Sequence, residues 1–181
     1  MDKRVIFAVA GSGKTTYIIN QLDLINSALI VTYTTNNVDN IRTSIIRKFG
    51  YFPNNIKLLT YFTFIHSFCF KPFLVGTYKT KGIYYKPNGN MYAKNDEKYI
   101  TKGNRLYSNR ISKFLEEKNI LQDINNRLAK YYKSIYIDEV QDFAGNDFNF
   151  LKSIANANIN ILMVGDFFQH TFDTSRDGSV N

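Results

Sequence analysis

The chain has a single cysteine, no tryptophan and no apolar run long enough to cross a membrane. Cys69 alone cannot close an internal disulfide, which excludes a small secreted scaffold and makes a reducing compartment, the cytoplasm, the expected location. Met1-Asp2-Lys3-Arg4 leads straight into an apolar strand, without the apolar stretch and small-residue cleavage site of an export signal. The greasiest segment, Leu58 to Phe70, is interrupted by Thr60, Thr63, His66 and Ser67 and is shorter than the ~20 residues a spanning helix needs. A soluble protein with no membrane partner is the expectation. No spacing of His, Cys and carboxylates suggests a self-contained metal site, and neither internal repeats nor a low-complexity linker is present.

What is present is a globular chain with excess positive charge. At 181 residues and 44% hydrophobic composition it can bury a full core as one domain, with room for a small appendage. The net charge of +8 favours contact with polyanions, although lysine-rich solvated faces give the same sum. Tyrosine and phenylalanine are abundant; they serve as core material or, exposed beside cations, as a stacking platform for single strands.

Apolar runs at Val5–Val9, Ala28–Tyr33, Ile56–Tyr61, Ser134–Ile137 and Ile159–Val164 read as strands, with helical patterns between most of them, which is the alternation of a parallel α/β sheet. Val38, Ile41, Ile45 and Phe49 form one stripe at helical spacing, and Phe148, Leu151, Ile154 and Ala155 form another, its helix starting near Gly145 and Asn146. From about Val75 to Tyr107 the chain is rich in Gly, Lys, Tyr and Asn and carries Pro87-Asn88-Gly89-Asn90, which predicts a hairpin-bearing insertion. Ile111 to Tyr132 then predicts one helix, or two broken near Asn119.

The densest chemistry lies in Arg4-Val5-Ile6-Phe7-Ala8-Val9-Ala10-Gly11-Ser12-Gly13-Lys14-Thr15-Thr16. A strand feeds a glycine-rich turn, and a lysine and two hydroxyls open a helix. Gly11 and Gly13 let the backbone wrap an anion with its N–H groups pointing inward, and the helix N-terminus adds partial positive charge. Ala10, Gly11, Ser12, Gly13, Lys14, Thr15 and Thr16 are therefore read as a phosphate loop, with Lys14 reaching the β/γ-phosphates and Thr15 binding Mg²⁺. The fourth strand ends in Ile137-Asp138-Glu139-Val140-Gln141-Asp142. Asp138 suits Mg²⁺, and Glu139, one residue on and differently directed, suits the polarisation of an attacking water. The fifth strand ends in Val164-Gly165-Asp166-Phe167-Phe168-Gln169, where Gln169 can donate to a γ-phosphate oxygen.

Taken in order, AVAGSGKTT, VTYTTNN, LLTYFTF, YIDEVQD and VGDFFQ resemble the first RecA-like domain of superfamily 1 helicases of the UvrD/Rep group. The resemblance covers nearly the whole chain apart from the insertion. It implies a P-loop NTPase fold, with residues 1–74 and 132–181 as the ATP-binding domain and 75–131 as an inserted accessory subdomain. It also implies an ATP- and Mg²⁺-dependent motor moving on single-stranded DNA, in which Lys14, Glu139 and Gln169 act on the nucleotide. Thr32, Tyr33 and Thr34 match the DNA-touching motif after the second strand, and Thr60, Tyr61 and Phe62 the one after the third. Phe172 stands where the family often has a base-facing tyrosine. Hydroxyls hydrogen-bond phosphates and rings stack on bases, while each ring is equally suited to the core. His66 is open to contact with nucleic acid or to a structural role, and His170 to lining the DNA path. The insertion's lysines and tyrosines suit phosphates and bases, or a solvated loop region.

The family's second RecA-like domain supplies arginines that stabilise the transferring phosphoryl group. The sequence stops at Asn181, soon after the third strand-end motif, so the expectation is an N-terminal half that is slow by itself and needs its second domain to walk. A nucleotide-dependent switch or protein-interaction module without motor activity is the alternative. A small-molecule kinase is disfavoured by DEVQD.

Overall fold

All five residues of Ala28–Thr32 are buried, as only a central strand covered on both faces allows. The computed structural model describes residues 1–90 and 92–166. Along the chain run β1 (Lys3–Phe7), α1 (Lys14–Gln21), β2 (Ala28–Thr32), α2 (Thr35–Phe49), β3 (Ile56–Thr60), α3 (Tyr61–Thr63), a π-helical stretch Phe64–Phe70, and α4 (Lys71–Tyr78). There follow β4 (Ile83–Tyr84), β5 (Leu106–Tyr107), α5 (Ile111–Glu117), α6 (Leu121–Tyr131), β6 (Ser134–Ile137), α7 (Gly145–Ile154) and β7 (Asn160–Gly165). The main sheet is five-stranded, in the order β1-β7-β6-β2-β3, and every pairing is parallel.

Side-chain alternation splits the core into two layers. Ala28, Ile30, Ile56, Leu58, Tyr136, Leu162 and Val164 face α1 and α2, where Ile18, Ile19, Ile41 and Ile45 are buried. Leu29, Val31, Ile135, Ile137, Ile161 and Met163 face the opposite layer, which holds Phe64, Phe70, Phe114, Ile124, Leu128 and Leu151. Tyr99 and Leu106, from the 75–131 interval, share that second core.

The helix ends are specified locally. Thr34 Oγ1 accepts the Asn37 N–H at the start of α2, and Gly50, at φ 81, ends the helix and donates its N–H to Ile46 O. From the last turn of α2, Lys48 Nζ donates to the carbonyls of Ile19, Asn20 and Leu22 at 2.8, 3.3 and 2.7 Å, closing the end of α1.

The parallel α/β sheet flanked by helices is the expected architecture, with the strand ends moved by one or two residues. β1 begins at Lys3 and ends at Phe7, so Ala8 and Val9 already belong to the loop. The chain from 111 to 132 forms two helices, and Asn119 between them adopts a left-handed φ of 56. The insertion does carry a tight antiparallel reversal, and it also pairs two short strands. β4 and β5 pair in parallel, which their long connection permits, and the tight reversal lies at Thr101–Arg105, with Ile100 bridging Leu106. Among the described residues β1 pairs with β7 alone, and Val5, Phe7 and Val9 are more than half exposed.

Candidate functional site

A wholly parallel sheet sends the C-terminal end of every strand to one edge, which gathers the loops after β1, β2, β3, β6 and β7 there. After β1 the backbone turns through Gly11 (φ 76) and Gly13 (φ 82). Gly13 caps α1 from a left-handed conformation that a side chain would strain. Ser12 sits exposed in the turn and donates its N–H to Val9 O. Lys14 Nζ folds back over the loop, donating to Ala8 O at 2.7 Å and Val9 O at 2.9 Å, and lies 3.8 Å from Asp166 Oδ2.

Across the gap, Thr15 Oγ1 donates to Asp138 Oδ2 at 3.0 Å, joining residues 123 positions apart. Asp138 is buried and also accepts the Glu139 N–H at 3.0 Å. Burial, and then the neighbouring Glu139, push its carboxyl up to about 6, against the opposing pull of Thr15, the Glu139 N–H and Lys14. A cavity of about 310 Å³ opens between Ala10, Gly11, Gly13, Lys14, Thr15 and Thr16 on one side and Glu139 and Asp166 on the other. The donor set fits a hard cation: a threonine hydroxyl and a buried carboxylate are the oxygen ligands that Mg²⁺ takes beside phosphate.

Two members of this cluster had no role in the sequence reading, Gln141 and Asp166. Gln141 Nε2 donates to Glu139 Oε2 at 2.6 Å, and its Oε1 accepts the Asp166 N–H at 2.8 Å. Glu139 has φ 56 and ψ 49, a left-handed conformation costing a non-glycine residue roughly 1–2 kcal/mol. The signal that could have found them is Gly165: a glycine inside a buried strand marks close approach of another group. A Cβ there would come within 2.6 Å of Val140 Cγ1 and 2.7 Å of Gln141 Oε1.

The glycine loop after β1, the helix it opens, and the acidic pair two strands away define a P-loop NTPase-type domain on a RecA-like parallel sheet. The chain belongs to the AAA domain family, whose model matches residues 2–173. Comparison with curated proteins found no match. Domains of this class generally bind a nucleotide and Mg²⁺.

The remaining predicted residues that are described gather around β2 and β3 and do not share one role. Thr32 is fully buried in β2, and Tyr61 is fully buried with its hydroxyl donating to Asp147 Oδ1 at 2.7 Å. Both expectations of nucleic-acid contact are corrected, because a side chain inside the core has no surface to offer a base or phosphate. Burial, and then the Asp147 carboxylate, push the Tyr61 phenol well up. Thr34 caps α2, and Thr60 caps α3 by accepting the Thr63 N–H at 3.2 Å. Tyr33 and Phe62 are half-buried and pack edge to face, 5.7 Å between centroids; Phe62 meets Tyr85 of the 75–131 interval at 5.4 Å. His66 is half-buried and stacks on Phe70, and its Nε2 has no hydrogen-bond partner among the described residues. Burial, and then Lys71, hold its pKa below the ordinary histidine value. Gln169, His170 and Phe172 lie outside the described residues. Among the described residues no group of His, Cys, Asp and Glu forms a metal cluster, and no helix is long and apolar enough to cross a membrane.

Proposed function

We propose that this domain is the ATP-binding half of a superfamily 1 helicase or translocase of the UvrD/Rep type, coupling Mg–ATP hydrolysis to movement on single-stranded DNA when joined to a second RecA-like domain. The observation that carries the reading is the Thr15–Asp138 hydrogen bond, which draws the phosphate loop and the acidic strand end into one cavity also lined by Lys14 and Glu139. On this reading Lys14 leaves the Ala8 and Val9 carbonyls for the β/γ-phosphates, exchanging neutral acceptors for charged ones. Thr15 and Asp138 would hold Mg²⁺, which would supply positive charge against the phosphate oxygens. Glu139 takes the proton of the attacking water, and Gln169 contacts the γ-phosphate. The ordered series of motifs, ending in DEVQD and GDFFQ, favours this group of motors over other P-loop ATPases. The net charge of +8, with the partly buried rings of Tyr33 and Phe62 at the same sheet edge, favours a single-stranded nucleic acid as track.

Calorimetry with Mg–ATP tests the site: Lys14→Ala is expected to weaken binding at least tenfold, and Glu139→Gln to preserve binding while removing about 10²-fold or more of the hydrolysis rate. Equal affinity in the wild type and Lys14→Ala sinks the phosphate-loop assignment. Binding without any Glu139-dependent hydrolysis, even with a second RecA-like domain supplied in cis, favours a nucleotide-dependent switch over a motor.

A further inference from the structure

Gln141 bridges two strand ends through one side chain, accepting the Asp166 N–H on Oε1 and donating from Nε2 to Glu139. Its orientation follows from its partners. A backbone N–H only donates and a carboxylate only accepts, so the reversed amide would lose both bonds. Room for this arrangement exists because position 165 is glycine, where a Cβ would fall 2.7 Å from Gln141 Oε1. Glu139 needs such a restraint. Its left-handed backbone persists only where the surroundings hold it, and its long side chain otherwise samples several rotamers.

We propose that Gln141 is a positioning residue for the hydrolytic reaction, holding the Glu139 carboxylate at the cavity wall and tying that position to the end of β7. The inference rests on the function proposed above. A reacting group displaced by about 1 Å can lose on the order of a hundredfold in rate, so the restraint acts on turnover rather than on nucleotide affinity. Because Asp166 is bound through its backbone, any shift of the strand end after Gly165 reaches Glu139 through Gln141.

Two substitutions of similar size separate positioning from a structural tie. Gln141→Met removes both bonds, whereas Gln141→Glu keeps an acceptor for the Asp166 N–H and turns a second carboxylate toward Glu139. Single-turnover hydrolysis of Mg–ATP, followed against protein concentration, yields maximal rate and half-saturation separately. The maximal rate is expected to fall at least tenfold in both variants, with half-saturation within twofold of wild type. A structural tie predicts instead that Gln141→Glu stays near the wild-type rate. That result, or a rate loss matched by an equal loss of affinity, overturns the proposal. Circular dichroism melting identifies a variant that does not fold, and the other then decides. With a second RecA-like domain supplied in cis throughout, a wild-type rate no higher than that of Glu139→Gln overturns the hydrolytic reading itself, an outcome distinct from active wild type with active Gln141 variants.

Discussion

Asp147 shows how much one side chain can set at the residue scale. It sits in the first turn of α7, buried, with Oδ1 taken by the Tyr61 hydroxyl and Oδ2 without a hydrogen-bond partner among the described residues. Burial pushes its carboxyl from 3.8 up to about 6, against the weaker pull of the nearby Ser112 and Tyr61 hydroxyls. A raised folded-state pKa means the folded protein binds the proton more tightly than the unfolded chain. This stabilising contribution is therefore complete below about pH 4 and lost as pH rises through about 6, a change on the order of 3 kcal/mol. Asp147→Asn cannot titrate. The melting temperature of the variant minus that of the wild type is expected to climb by several degrees between pH 4 and pH 7.5 in scanning calorimetry. A difference independent of pH would show that Asp147 titrates normally in the fold.

At the scale of elements, the joint between α1 and α2 is made by Lys48, whose ammonium closes three carbonyls at the end of α1. Charge-assisted bonds to a helix C-terminus combine with the dipole that favours cations there. Lys48→Met keeps the aliphatic stem and removes the donors. It is expected to cost about 1–3 kcal/mol, measured by urea unfolding with an unchanged m-value. The sequence revealed elements of this kind unevenly. The α2 stripe was legible because Ile41 and Ile45 repeat at helical spacing, and Gly50 marks its end. Phe64–Phe70 was not, because a π-helical turn shifts the apolar residues off the usual period, and Leu58 to Phe70 reads only as greasy. The fate of Tyr61 was equally hidden. A tyrosine after a strand reads the same whether its hydroxyl meets water, a phosphate or, as here, a buried aspartate on a helix 86 residues away.

For the molecule as a whole, the phosphate loop and the acidic strand end were readable because each is a local pattern, and the parallel sheet then had to bring both to one edge. What joins them was not readable. The Gln141 bridge depends on β7 lying between β1 and β6, an adjacency that no local spacing encodes. The two-residue strands β4 and β5 carry too little pattern to state their direction, and nothing local places the reversal at Thr101–Arg105.

The pairing of β1 with β7 also sets an order of events during synthesis. Lys3 to Phe7 leave the ribosome long before their partners in the sheet, Ile161 to Gly165, and Ala8 N–H is held by Gly165 O at 3.0 Å. β2, β3 and β6 can associate earlier, while the strand that carries the glycine loop waits for the last described strand to be made. At about 5–20 residues per second this leaves β1 without its partner for roughly ten seconds or more. The glycine loop is thus made well before the strand that anchors it. Nascent chains stalled at successive lengths are expected to be retained on immobilised ATP only once β7 has emerged. Retention of chains halted before Asn160 would show that the loop folds on its own, independent of the sheet.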